Sequence, residues 1–99
     1  QLQAFAQCLG CAPAAQRLFD AVEQALRTGT GVFASVGCAA DLGAHTDFSA
    51  LRRVVEDASC GHVALASFSC LPDHASGEHA HAATFRLEYR DAPQQSTQS

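Results

Sequence analysis

A chain of 99 residues, 47% of them hydrophobic and 16% charged, has material for one packed core and little room for a second, and it is too apolar to stay unfolded over most of its length. The net charge of −4 comes with no Lys and six scattered Arg, so no basic stripe exists to neutralise phosphates, which argues against nucleic acid as a partner. No apolar run approaches the ~20 residues that cross a bilayer, and the first residues lack the basic and then continuously apolar pattern of a leader. A start at Gln1 and the absence of Met lead us to expect a segment of a longer chain. The lack of Lys, Ile, Asn and Trp beside abundant Ala reads as the imprint of a GC-rich gene.

Residues 1–28 are mostly strong helix formers. Leu2, Phe5 and Leu9 recur at helical spacing, then Leu18, Val22 and Leu26 do the same. Between the two sets, Gly10 and Pro13 predict a break, because Pro is tolerated in a first helical turn and not in an interior. Gly29 and Gly31 close the second helix. Val32, Ala34, Val36 and Cys38 share one parity in the stretch 30–38, the pattern of a short, largely buried strand. After a loop, Thr46 is placed to cap a helix whose Phe48, Leu51, Val54, Val55 and Ala58 form one apolar stripe, and Gly61 stops it. Residues 62–70 are apolar or small at nearly every position, which predicts a strand covered on both faces or lying mid-sheet. In residues 83–91, Phe85, Leu87 and Tyr89 alternate with Thr84, Arg86, Glu88 and Arg90, a strand with one buried and one wet face. We thus expect a leading helical or coiled-coil-like segment over 1–12, an α+β domain over 13–91 and a flexible tail over 92–99.

The order helix, strand, helix, strand, strand predicts two parallel strands joined by a helical crossover, with the last strand inserted between them and antiparallel to both. This is a small two-layer sandwich, half of a ferredoxin-like fold. In element order the chain resembles the small ferredoxin-like assembly domains that follow a coiled-coil stalk in type IV pilus and type II secretion inner-membrane proteins. The likeness is one of topology over most of the chain; it implies an assembly role and carries over no individual residue.

Candidate chemistry is concentrated in LPDHASGEHAH at 71–81. Asp73, His74, Glu78, His79 and His81 are the ligand types that suit Zn, Fe or Ni, but their spacing matches no established ligand pattern, and Ser76 and Gly77 mark a turn that binding would have to order. If the last strand begins early, His79 and His81 fall on the parity of Phe85 and become partly covered ends of the core, where their titration would make local stability pH-sensitive. Five cysteines cannot all pair within one chain and show no secreted-scaffold spacing, which favours a reducing compartment. Cys38 and Cys70 read as small buried hydrophobes, with a disulfide between them as the open alternative. Cys8 and Cys11 form a lone CxxC between helices, whereas a redox motif of that kind follows a strand and opens a helix. There is no G-x-S-x-G elbow, the glycine stretch 29–37 opens a strand where a phosphate loop would open a helix, and Arg52–Arg53 fits a solvated face.

These observations favour a non-enzymatic, cytoplasmic assembly domain without cofactor or metal. It is expected to bind a protein partner or itself as a homodimer, through a sheet edge or through Leu2, Phe5 and Leu9. The second reading is a metal- or ligand-responsive module using 73–81.

Overall fold

The computed structural model describes residues 2–72 and 81–91. In chain order it contains helices α1 (Leu2–Leu9) and α2 (Ala12–Thr28), strand β1 (Val32–Cys38), a 3-10 turn at Leu42–Ala44, helix α3 (Phe48–Ala58) and strands β2 (Val63–Pro72) and β3 (His81–Tyr89). The strands lie in the order β1-β3-β2. Both outer strands run antiparallel to β3 and hence parallel to each other, as the split order in the sequence predicts. The fold is an α+β sandwich with the sheet's inner face under the helices. β2, expected to be covered on both faces or mid-sheet, is instead an edge strand. Its first three residues are buried, and from Ala66 onward burial alternates past a register shift between Leu65 and Ser67. A mostly small, mostly apolar sequence does not by itself distinguish an edge from a centre.

Helix boundaries follow local chemistry. Gly10, at φ 66°, takes the left-handed conformation that breaks α1 from α2 and donates its N–H to the Ala6 carbonyl at 2.8 Å. Cys11 is the N-cap of α2 in extended conformation, with Pro13 in the first turn. Gly29 closes α2 by donating to the Ala25 carbonyl at 2.8 Å. α3 is capped by Asp47, one residue later than the predicted Thr46; its carboxylate accepts from the backbone of Ser49 at 3.0 Å and Ala50 at 3.4 Å. Thr46 Oγ1 is buried and unpartnered among the described residues. At the far end, buried Ser59 replaces lost backbone partners: its hydroxyl donates to the Val55 carbonyl at 3.0 Å and accepts from Val63 N–H at 3.0 Å. Gly61, at φ 86°, takes a left-handed conformation after α3, whereas Gly31 is needed for proximity, since a Cβ there would stand 2.8 Å from the Leu87 carbonyl oxygen. That close approach accounts for a glycine in the stretch whose order argued against a phosphate loop.

The core lies between the sheet's inner row and all three helices. Ala34 and Cys38 of β1, Val63 and Leu65 of β2, and Ala83, Phe85 and Leu87 of β3 meet Leu18, Val22, Leu51 and Val55. Phe68 stacks on Phe85 at 5.3 Å. α2 turns Ala14, Ala15, Ala21 and Ala25 inward, and these small residues let it lie close to β1 and β3. Leu26, read as part of the stripe, is 39% exposed, because Ala25 takes the buried position beside Val22.

The leading helix departs most from expectation. Phe5 and Leu9 are 0% exposed, α1 packs on α2 and α3, and Phe5 meets Phe19 edge-to-face at 5.9 Å. Their burial contributes roughly 1.5–3 kcal/mol each. Offered in the sequence as surplus apolar surface for another chain, they are part of this chain's own core; of the three, only Leu2 reaches solvent, at 37%.

Replacing Leu87 by Ala should destabilise the protein by about 2–5 kcal/mol, and Phe5→Ala by about 3–5 kcal/mol. Arg86→Ala, on the wet face of the same strand, should change stability by less than about 0.5 kcal/mol. Urea unfolding of the three variants checks this; equal losses for Leu87 and Arg86 would contradict the register.

Candidate functional site

Helices cover one face of the sheet, so its other face and its edges carry the exposed features. The parity that buries Ala34 and Cys38 turns Phe33 outward, where it is 68% exposed; Leu71 of β2 is 63% exposed. Between them the outer face presents short side chains: Ser35 of β1, Thr84 of β3, and Ser67 and Ser69 of β2, with Ser35 Oγ 3.3 Å from Thr84 Oγ1. Arg86 and Glu88 form an exposed pair at 3.9 Å. Beside Phe33 a shallow depression of about 520 Å³ runs along the start of β1 and the end of β3, lined by Gly31, Val32, Phe33, Arg86, Leu87, Glu88 and Tyr89. Among the described residues β1 pairs with β3 alone. On its other side the peptide groups of an edge strand are available to another chain.

Inside the sheet a second cluster forms at the opposite end of the strands. Cys38, 2% exposed, closes β1, and its side chain donates to the Val36 carbonyl at 3.7 Å. Cys70 on β2 accepts from the backbone of Leu42 at 3.3 Å. Burial pushes the Cys38 thiol up from 9.0 to about 11; the nearby thiols of Cys11 and Cys70 add to the rise, and a backbone hydrogen bond from Ala83 opposes it. His81 stands directly opposite Cys38 in the β1–β3 ladder, and its Nδ1 is buried with no hydrogen-bond partner among the described residues. β3 does begin early enough to place His81 on the parity of Phe85, as the alternation implied.

The register settles the cysteine pairing left open by the sequence. Cys38 faces His81 and Cys70 faces Ala83 from opposite sides of β3. Two strand spacings and a two-residue offset separate their Cα atoms by roughly 11 Å, beyond the ~7 Å that a disulfide spans. Cys8, Cys11, Cys38, Cys60 and Cys70 are all free thiols. Sequence reasoning missed that Cys11 packs against the core that holds Cys38; no local pattern signals such a contact for a helix cap.

Asp73, His74, Glu78 and His79 lie outside the described residues. Among the described residues, no three His, Cys, Asp or Glu side chains converge in a way that could hold a metal ion, and no helix is long and apolar enough to cross a membrane. No family model, curated protein or solved structure matches the chain.

A raised thiol pKa has two measurable consequences. Near pH 8, Cys38 should alkylate about a hundredfold more slowly than an unperturbed thiol, and exposed Cys60 should label first. The unfolded thiol ionises from 9.0 while the folded one holds its proton to about 11, so the folded state binds more protons in that window. The stability this supplies is fully present below pH 9 and is lost as pH rises towards 11. The unfolding midpoint of the native chain should therefore fall more steeply over that range than that of Cys38→Ala, as parallel denaturation series would show.

Proposed function

We propose that the protein is a non-enzymatic assembly domain that self-associates through the free edge of β1. The observation that carries this reading is an edge strand, unpaired on one side among the described residues, with a large aromatic side chain, Phe33, 68% exposed on the sheet face away from the helices. A three-stranded sheet has two such edges, and pairing with a second copy removes one of them at no cost in new structure. Burial of Phe5 and Leu9 moves the reading away from the leading helix and onto the sheet.

The sequence of β1, VFASVGC, is suited to antiparallel pairing with itself. With a two-fold axis at its middle residue, Ser35 faces Ser35 of the second copy. Each Phe33 then lies opposite Gly37, which has no side chain, so the ring covers the partner's bare backbone. On the other face Ala34 meets Val36 and Val32 meets Cys38, all apolar or small. No charged side chain lies within β1 to oppose the approach. The product is a continuous six-stranded sheet with helices on one side.

Because the axis runs through Ser35, one substitution there acts twice. Sedimentation equilibrium at high micromolar concentration should find a dimer for the native chain. Ser35→Asp, which sets two carboxylates face to face, and Phe33→Lys should both give monomers that remain folded, whereas Leu2→Asp should leave the dimer intact. A strict monomer for the native chain would remove this reading, and loss of the dimer in Leu2→Asp alone would return it to the helix.

A further inference from the structure

The sheet edge opposite β1 is formed by β2, and among the described residues no strand lies beyond it, so peptide groups along that edge are available to another chain. Against it lies a depression of about 330 Å³, bordered by Phe48 and Arg52 of α3, Ala64 and Ala66 of β2, Glu88 of β3 and Arg90 just after it. Its β2 side is small and apolar: Ala64 is 5% exposed, and the register shift leaves Ala66 with no opposed residue in β3. Arg90 is fixed through its backbone, which donates to the His62 carbonyl at 2.7 Å and accepts from His62 Nδ1, in its N–H form, at 3.1 Å. The Arg52 guanidinium stands 5.8 Å from the centre of the Phe48 ring. Among the described residues the one ion pair joins Arg86 to Glu88. Glu88 is thus engaged, while neither Arg52 nor Arg90 has a carboxylate partner there. Arg53, next along α3, shares a different depression with Asp47 and Asp57.

We propose that this depression binds a short, extended, acidic segment of a partner protein, which pairs along the edge of β2 and places a carboxylate between Arg52 and Arg90. Charge complementarity chooses the occupant. The chain as a whole carries −4, so its overall field repels an acidic segment, and recognition rests on a local pair of cations left without partners. Guanidinium suits the task, because its planar fork of donors matches a carboxylate. The free edge selects an extended backbone. The irregularity at Ala66 selects a short one, since a long straight strand loses its pairing there. Side chains of such a segment alternate between two sides, so acidic residues at every second position leave apolar ones to cover Phe48, which is 37% exposed. This surface lies across the sheet from β1 and does not depend on self-association there.

Fluorescence anisotropy of the full chain with a labelled peptide of alternating Val and Glu, about six residues long with both ends blocked, tests this. The peptide should bind, its Gln-for-Glu counterpart should not, and affinity should fall as salt rises from about 0.02 M to about 0.5 M. Amide NMR shifts on binding should concentrate at Ala64, Leu65 and Ala66. Arg52→Gln and Arg90→Gln should each weaken binding by about three- to fivefold, the size of one exposed charge pair, and the double variant by roughly tenfold or more, with thermal midpoints showing that all three fold. Arg53→Gln, and Ser35→Asp at the other edge, should bind as the native chain does. Equal binding of the Gln peptide, shifts centred on β1, or affinity unchanged in the double variant would overturn the proposal. Loss of self-association in the double variant would assign the depression to a second copy and overturn it as well.

Discussion

Among the described residues β3 is the only strand with neighbours on both sides, and the rest of the structure is arranged around its inward row. Along that row Ala83 lies opposite Val36 and Cys70, Phe85 opposite Ala34 and Phe68, and Leu87 opposite Val32 and Leu65. The one large aromatic ring at the centre is matched by a small residue on one side and stacked on a ring on the other, so volume is filled without crowding the helices. The constraint is strict because side chains alternate. A slip of β3 by one position against either neighbour would carry Thr84, Arg86 and Glu88 under the helices and put Phe85 and Leu87 in water. The helices adapt to this row: α2 supplies alanines where it crosses close to the sheet, and Phe5, Leu9 and Leu51 fill the remaining space.

Much of this was legible in the sequence because it depends on period and punctuation. The alternation through Phe85, Leu87 and Tyr89 fixed the face of β3, the pair Gly10 and Pro13 fixed the break between α1 and α2, and the order of elements implied the inserted antiparallel strand. Elsewhere the sequence pattern was ambiguous for physical reasons. Spacing shows that Leu2, Phe5 and Leu9 share a stripe, but not whether that stripe meets the chain's own core or another molecule. Leu26 and Ala25 both follow Val22 at helical spacing, four and three positions on, and the way α2 lies on the sheet, a tertiary property, selected the smaller one. Thr46 and Asp47 are both good caps; the carboxylate reaches two backbone N–H groups and Thr46 turns inward. That Cys11 packs against the core holding Cys38 depends on how α2 lies against β1, which no window of sequence contains.

The packing of α1 changes what is available for association. With α1 laid on α2 and α3, most of the helical layer's apolar stripes are used within the chain; Leu2, Leu26 and Phe48 stay partly exposed on the helices, but the two most exposed large apolar side chains among the described residues, Phe33 and Leu71, belong to the sheet. The two edge strands differ in a way that matters. β2 carries a register irregularity near Leu65, and such features increase twist and make a poor template for a straight partner. β1 pairs with β3 without a shift over all seven of its residues. A regular, uncharged edge with an exposed ring is the better template, which is the physical ground for placing association on β1 and not on β2.

One strand can serve two surfaces because of its alternation. The period of two that defines a strand sends Ala34 and Cys38 inward, towards the helices, and sends Phe33, Ser35 and Gly37 outward, while the edge hydrogen-bonding groups lie in the plane between the two sets. Pairing of a second copy along the edge would therefore leave the inward row and its packing unchanged. Its cost would be set by order: a strand already held along its whole length by β3 is little frayed, so less conformational entropy remains to be lost when another strand pairs with it.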